Sequence, residues 1–359
     1  MKFRKLTAVL LAGAMASSLA LSGCGDRIDQ DAVGATIGDQ EISIGYMNFV
    51  AHYTQINYDS IFVSYYGEDY WTSESYTDDD GLTMEDTVKE YVLEEIELEC
   101  LLEAHMEDYG VEITDEDMEA IRAAAEEFMS ENSSAAISAM GAAQEYVETY
   151  LYYETLASRM EDAIYDDAEA QATEQLSIED YSRRTFSYIE IDYSDYTDDD
   201  GETVSYTEDE IAAFQESAAE FAASAQAGED FDTLADTYGY TVSTYSYGED
   251  EDSEEDGGFS DAVIASADTL TAGQISGVIE GTDCYYVIRL DSEDDEEAAQ
   301  SALETAITEL ADELYTEVTD GYQEESDFEV DEDQWAKVKF SKLFTIDDGE
   351  DDDSSVSAE

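Results

Sequence analysis

Thr185-Phe186-Ser187-Tyr188-Ile189-Glu190-Ile191-Asp192-Tyr193 alternates along most of its length with period two, as a half-buried strand does. It marks a change of pattern, because residues 45 to about 180 read as mostly helical. Tyr46, Phe49, Val50, Tyr53 and Ile56 recur at helical spacing, and so do Val88, Tyr91, Val92, Ile96, Leu101, Leu102 and Met106. Gly110 closes the second of these helices. Thr114-Asp115-Glu116-Asp117 opens a third with a capping box, a hydroxyl and a carboxylate three residues apart. Ala135 to Ala163 reads as one more helical stretch, and the aromatic, acidic stretch from Ser64 to Gly81 as a loop. A small strand–turn–strand over 35–44, with Gly38-Asp39 at its turn, precedes the first helix.

Downstream of Tyr193 comes an acidic turn, Asp198-Asp199-Asp200-Gly201, and then a second capping box, Thr207-Glu208-Asp209-Glu210. The helix it launches turns Ile211, Phe214, Ala218 and Phe221 inward, and a shorter one holds Phe231, Leu234 and Ala235. An acidic loop over 248–258 leads to a short helix over 259–267, and Ile279 with Tyr285 to Leu290 gives the closing strands. An amphipathic helix over 293–320 and a late strand, Val338 to Ile346, follow, then a solvated acidic tail over 347–359. The fold class is α+β. A mostly helical N-terminal domain over 35–180 precedes a small antiparallel sheet flanked by helices over 181–292. A C-terminal helix and strand over 293–346 return to the first domain.

At the other end, Lys2, Arg4 and Lys5 precede an uncharged run from Leu6 to Leu21, too short to span a membrane comfortably. Leu21-Ser22-Gly23-Cys24 then resembles a bacterial lipobox. By that resemblance residues 1–23 are a lipoprotein signal peptide, Cys24 carries the lipid and 24–34 is a tether. Two acyl chains hold a protein on a bilayer where one would not. The chain has 13 Lys+Arg and 94 Asp+Glu; the leader takes three of the basic groups and no acidic one, so the mature net charge is −84. Phosphate neutralisation of nucleic acid is excluded, and attraction to anionic lipid is opposed. With 43% hydrophobic residues the chain still has material for a core. Cys100 and Cys284 lie 184 residues apart, and two buried free thiols are favoured over one bridge. There is no proline, so slow isomerisation of the chain's own X-Pro bonds does not limit its folding.

The order strand, helix, short helix, loop, short helix, strand over 183–290 resembles the parvulin (PpiC-type) prolyl isomerase domain. Three local matches carry the resemblance. Gly228-Glu229-Asp230-Phe231-Asp232-Thr233-Leu234-Ala235 is similar to a G-x-D-F-x-x-L-A turn and helix. Phe259-Ser260-Asp261-Ala262 through Leu270-Thr271-Ala272-Gly273-Gln274-Ile275-Ser276 is similar to F-x-x-A followed by L-x-x-G-x-I-S. Cys284 to Leu290 is similar to the closing G-Y-H-I-I-K-L strand. With the lipobox, the Ala35–Asp39 hairpin and the segment 109–117, the layout resembles PrsA/SurA-type extracytoplasmic foldase lipoproteins.

That resemblance implies a protein held outside the cytoplasm on the bacterial cell membrane, with no cofactor. Its partners would be unfolded or newly secreted polypeptides, with a homodimer as a further possibility and no nucleic acid. It also implies prolyl isomerase chemistry, but where parvulins place one histidine on the first strand and one on the last, this chain has Tyr188 and Tyr286. Phe259 is the clearest match among the pocket positions, and Gly257-Gly258 stands in place of the Gly-Gly-Asp-Leu-Gly loop. Three readings stay open: a chaperone with weak or lost isomerase activity, a working isomerase with a tyrosine-modified pocket, and an acidic surface lipoprotein that protects nothing. As strand tyrosines, Tyr188 and Tyr286 are read as core ahead of catalysts, and Tyr46, Phe49 and Tyr53 as core ahead of a peptide cradle. His52 and His105 lack metal-ligand spacing. A calcium loop ending near Gly257 would place Asp252, Glu254 and Asp256 suitably, but has Val263 where the last ligand belongs; one around Gly201 fails at Tyr196 and Thr207. No metal site is expected.

Overall fold

The computed structural model describes residues 14–17, 28–67, 69–77, 81–197, 201–248 and 259–346. Cys24, the acidic turn at 198–200, the loop carrying Asp252, Glu254, Asp256 and Gly257-Gly258, and the tail over 347–359 lie outside them. The chain divides into two compact units: unit 1 is Met1–Asp167 with Glu313–Glu359, and unit 2 is Ala168–Asp312. Helices and small antiparallel sheets build both, the expected α+β class.

The first elements are β1 (Ala14–Ser17), β2 (Val33–Ile37), β3 (Gln40–Ser43) and α1 (Ile44–Tyr66). Gly38, at φ +55°, lets β2 turn into β3 within two residues, and Ser43 Oγ accepts from Tyr46 N (3.2 Å) to cap α1. Tyr46, Phe49 and Tyr53 are buried, so the aromatic stripe is core and not an open cradle. The stretch read as a loop from Ser64 is ordered otherwise. α1 runs on to Tyr66, and a 3₁₀ turn at Tyr70–Thr72 drives Trp71 into the core at 1% exposure. The indole Nε1 donates to Asp59 Oδ1 at 2.7 Å, which gives that turn a buried anchor no local pattern announces.

α2 (Met84–His105) and α3 (Asp115–Glu131) each begin with a complete capping box, at Thr83/Asp86 and Thr114/Asp117. The single helix expected over 135–163 is two: α4 (Ser134–Met140) and α5 (Gln144–Gln175). Gly141 breaks them apart at φ +68°, and a Cβ there would meet Asn48 Nδ2 at 2.4 Å. Asn48 Nδ2 itself donates to Met140 O (3.0 Å), so α1 fixes the break from outside.

Unit 2 opens on β4 (Arg184–Asp192), then the hairpin β5 (Tyr196–Thr197) and β6 (Thr203–Val204). The capping box at Thr207/Glu210 starts α6 (Glu208–Gln226), and Asp230 caps α7 (Phe231–Tyr238). β7 (Ser243–Tyr247), α8 (Asp261–Asp268), β8 (Ile279–Glu280) and β9 (Cys284–Ser292) complete it. The sheet is antiparallel in the order β7-β4-β9-β8. Cys100 and Cys284 are both buried free thiols.

The remaining elements are α9 (Glu296–Glu324), β10 (Glu329–Val330), α10 (Glu332–Trp335) and β11 (Leu343–Ile346). β10 joins β2 and β3 in a three-stranded sheet of unit 1, and β1, inside the expected leader, pairs with β11. The late strand expected from Val338 is confined to 343–346, because side chains rather than a neighbouring strand satisfy much of the backbone before it. Lys89 Nζ donates to Trp335 O and Val338 O (3.2 and 3.1 Å). Glu85 Oε2 accepts from Phe340 N (3.1 Å), Gln55 Nε2 donates to Lys342 O (2.7 Å), and Asp59 Oδ2 accepts from Phe344 N (2.9 Å). All four side chains are buried, so losing one strands a polar backbone group away from water. Glu85→Ala should therefore lower the stability of unit 1 by about 2–3 kcal/mol, seen as a lower urea midpoint with an unchanged m-value.

Candidate functional site

Alternation along β4 sorts its side chains to two faces. Ile189 and Ile191, with Tyr285 and Val287 of β9, pack under Phe221, Phe231 and Leu234 of α6 and α7. Phe186 and Tyr188, with Tyr286, Ile288 and Leu290, face the other way, beneath Val263 and Ala267 of α8. Tyr188 pairs with Ile288 and Glu190 with Tyr286, so the two tyrosines sit diagonally on one face.

Phe259, just before α8, closes the group from above. Its ring centroid lies 4.8 Å from that of Tyr188, 5.1 Å from Tyr286, 4.9 Å from Tyr245 and 5.3 Å from Phe186, each steeply inclined. Tyr188 and Tyr286 are 6.1 Å apart at 71°. These are edge-to-face geometries, in which each ring directs its positive edge at a neighbour's negative face. The structure thus brings Tyr188, Phe259 and Tyr286 together, each partly buried. It adds Tyr245 and Phe186, which sequence reading missed. The signal was there: Ser243-Thr244-Tyr245-Ser246-Tyr247 alternates polar and aromatic residues, and it forms the edge strand β7.

The cluster is built of phenyl and phenol rings. Tyr286 Oη donates to Glu190 Oε1 at 3.1 Å on the exposed rim. Burial above all, then the nearby Cys284 thiol and Glu190, pushes the Tyr286 phenol well above its ordinary value. Burial likewise raises the Cys284 thiol, which disfavours the thiolate a nucleophile would need. Gly281 stands where a Cβ would come within 2.7 Å of both Cys284 Sγ and the Tyr286 ring, so the β8–β9 turn is closed tightly against them. The partly exposed rings present an apolar surface. Rotation about an X-Pro bond, with its barrier of about 20 kcal/mol, calls for nothing more reactive. Neither histidine belongs to this group. His52 is buried in unit 1, its Nδ1 2.8 Å from Asn48 O, with burial holding its pKa below the ordinary value; His105 lies at the end of α2.

Residues 192–305 match the family model of the PPIC-type PPIASE domain. This segment is a PPIC-type domain. The match takes in Phe259 and Tyr286 and begins four residues after Tyr188. No curated protein matches the sequence. Among solved structures, the chain is similar to the foldase protein PrsA of Lactococcus lactis (13% identity, 86% of this chain and 97% of that one, TM-score 0.34). It is also similar to PrsA of Bacillus subtilis (16% identity, 76% and 98%, TM-score 0.27). A third likeness is to a chain from a pair of SurA-like chaperones in Campylobacter jejuni (10% identity, 83% and 98%, TM-score 0.22). No helix among the described residues is long and apolar enough to cross a membrane.

Among the described residues of unit 1, Glu95 and Glu99 on α2 and Glu154 on α5 bring carboxylate oxygens within 4.8 Å of one another, close enough for the three to hold an ion. Burial first, then Glu154, raises Glu95 to about 7. Glu99, more deeply buried and facing both other carboxylates, is raised well above the ordinary range, and it accepts from Tyr46 Oη at 3.4 Å. Protons on these two groups remove the like-charge repulsion that burial would otherwise amplify.

The folded state therefore holds more protons than the unfolded chain between the ordinary carboxyl range and about pH 7, and stability falls as pH rises through that window. The whole chain's negative charge acts in the same direction, so the readout is a difference. Glu95→Gln/Glu99→Gln should flatten the decline in unfolding free energy between pH 5 and 8 relative to the parent. In the PPIC-type domain, Phe259→Ala removes the ring that touches the other four. Its melting profile should show a loss of about 2 kcal/mol, together with a weakened near-UV aromatic signal.

Proposed function

We propose that the chain is an extracytoplasmic foldase, carried on the membrane by lipid at Cys24, that binds unfolded exported polypeptides and has weak or no prolyl isomerase activity of its own. The observation that carries this reading is the ring cluster of the PPIC-type domain. Phenols at Tyr188 and Tyr286 stand at the two strand positions where the sequence resemblance implies histidines, and both histidines of the chain lie in unit 1. Such a cluster offers ring faces to a prolyl side chain but lacks the imidazole pair.

The client-binding part of the proposal draws support from unit 1. Ile61, Tyr65, Tyr66 and Tyr91 stand 55%, 81%, 44% and 53% exposed on α1 and α2 in an otherwise acidic chain. Large apolar side chains left in water are available to contact an apolar client segment. The mature charge would keep a loaded complex soluble and draw basic client segments, with attraction fading as salt rises.

A second reading, a working isomerase, is favoured by one feature: Phe259, Tyr188 and Tyr286 converge on the same face with each ring still partly exposed. An NMR exchange assay on an X-Pro peptide separates the two. The foldase reading expects exchange at or near the uncatalysed rate together with delayed light scattering from an aggregating client. Fast exchange that is lost in Tyr188→Ala or Phe259→Ala would move the assignment to the enzyme. Aggregation unchanged by stoichiometric protein would overturn the foldase reading itself.

A further inference from the structure

Unit 1 has a concavity of its own at the C-terminal end of α2. After His105 the chain folds back, Asp108 N donating to His105 O (3.0 Å) and Val111 N to Met106 O (2.9 Å). His105, Asp108 and Tyr109 from this turn, Ala163 and Asp167 from α5, and Tyr322 from α9 line a cleft of ≈ 640 Å³. That volume is in the range of small-ligand sites.

Its chemistry is one-sided. The His105 imidazole and the Tyr322 ring stack face to face, centroids 3.9 Å apart and planes within 7°. Tyr322 Oη donates to Tyr109 Oη at 3.4 Å, and Asp108 Oδ2 lies 3.0 Å from His105 Nδ1. Burial, followed by Tyr109 and Asp108, keeps the Tyr322 phenol well above its ordinary value, so the platform presents a neutral ring. The lining offers two carboxylates, two phenols and no lysine or arginine. The cleft also sits where a 22-residue helix ends, and helix C-termini carry partial negative charge.

Anions are repelled from such a site and apolar groups gain little from it. A cation gains three ways: from carboxylate, ring face and helix end. A flat guanidinium suits it better than a compact ammonium, because it stacks on a planar ring while its N–H fork reaches a carboxylate. We propose that this cleft seats an arginine side chain of an unfolded polypeptide, its guanidinium against the His105–Tyr322 pair with Asp108 and Asp167 as counter-charges. That the guest belongs to a client rests on the foldase reading; the preference for guanidinium does not.

The test is fluorescence anisotropy of the whole protein, at physiological salt, with a labelled Gly-Ser peptide carrying one arginine. The same peptide with citrulline, which keeps the shape and loses the charge, is the comparison. The arginine peptide should bind about tenfold more tightly, and Asp108→Asn/Asp167→Asn should remove most of that difference. Both aspartates are exposed, and a far-UV circular dichroism spectrum of the variant checks that it is folded. Tyr322→Phe should retain the preference by keeping the stack, and Tyr322→Ala should weaken it. Equal affinity for the two peptides overturns the proposal. So does an arginine preference untouched by Asp108→Asn/Asp167→Asn, which would assign the attraction to the charge of the chain at large. Client light scattering run alongside keeps the two readings apart: guanidinium binding without protection would remove the foldase and leave the cleft.

Discussion

The register between β4 and β9 is the constraint on which the PPIC-type domain depends. Side chains on a strand alternate between faces, so one register sends Ile189, Ile191, Tyr285 and Val287 under α6 and α7 and leaves Tyr188 and Tyr286 with Phe259. A slip of β4 by one residue would turn Tyr188 under α6 and α7 in place of Ile189 and Ile191. Two things oppose the slip. The aliphatic face is fully buried, and Gly281 with Asp283, the latter at φ +53°, fixes where β9 can begin. The irregularity between Thr185 and Phe186 shifts pairing near the start of β4 without disturbing the tyrosines.

Unit 1 answers a different problem, how to fold a chain so rich in carboxylates. Most stay in water, but a few are taken inside and given defined partners. Asp59 accepts from Trp71 Nε1, Gln55 Nε2 and Phe344 N, and burial still raises it to about 6. Glu85 has Lys339 Nζ and Phe340 N. Asp117 has Arg159 at 2.6 Å and the Thr114 cap; although desolvation opposes them, these hold it down to about 2. Neutralisation thus comes by three routes in one unit: a proton, a backbone N–H, or a scarce cation placed where it is needed.

What could be read from the residues was whatever is local. Period-two alternation gave β4, two hydroxyl–carboxylate boxes gave the starts of α3 and α6, and Gly38-Asp39 gave the first turn. The α+β class followed from the order of those elements, and the grouping of Tyr188, Phe259 and Tyr286 was what the parvulin resemblance implied. The misses share a cause in long-range partners. Trp71 looks like loop until Asp59 is seen to hold it, and Gly141 looks like helix until Asn48 is seen against it. Residues 338–342 alternate like a strand, yet their backbone is held in part by Glu85, Lys89 and Gln55, about 250 to 290 positions earlier. β7 was missed for lack of aliphatic residues, because its inward side chains are tyrosines.

The division of the chain has a consequence for biogenesis. Residues of unit 2 are continuous from Ala168 to Asp312, whereas unit 1 needs Glu313 onward as well as everything before Asp167. A polypeptide delivered from its N-terminus can complete the inserted module while the host module is still missing β10, α10 and β11. Its helices α1 and α2 must wait with the acceptors and donors for that last segment unfilled, and loop closure over so long a span is slow. Until then the buried side chains of Gln55, Asp59, Glu85 and Lys89 lack the backbone partners that the last segment supplies.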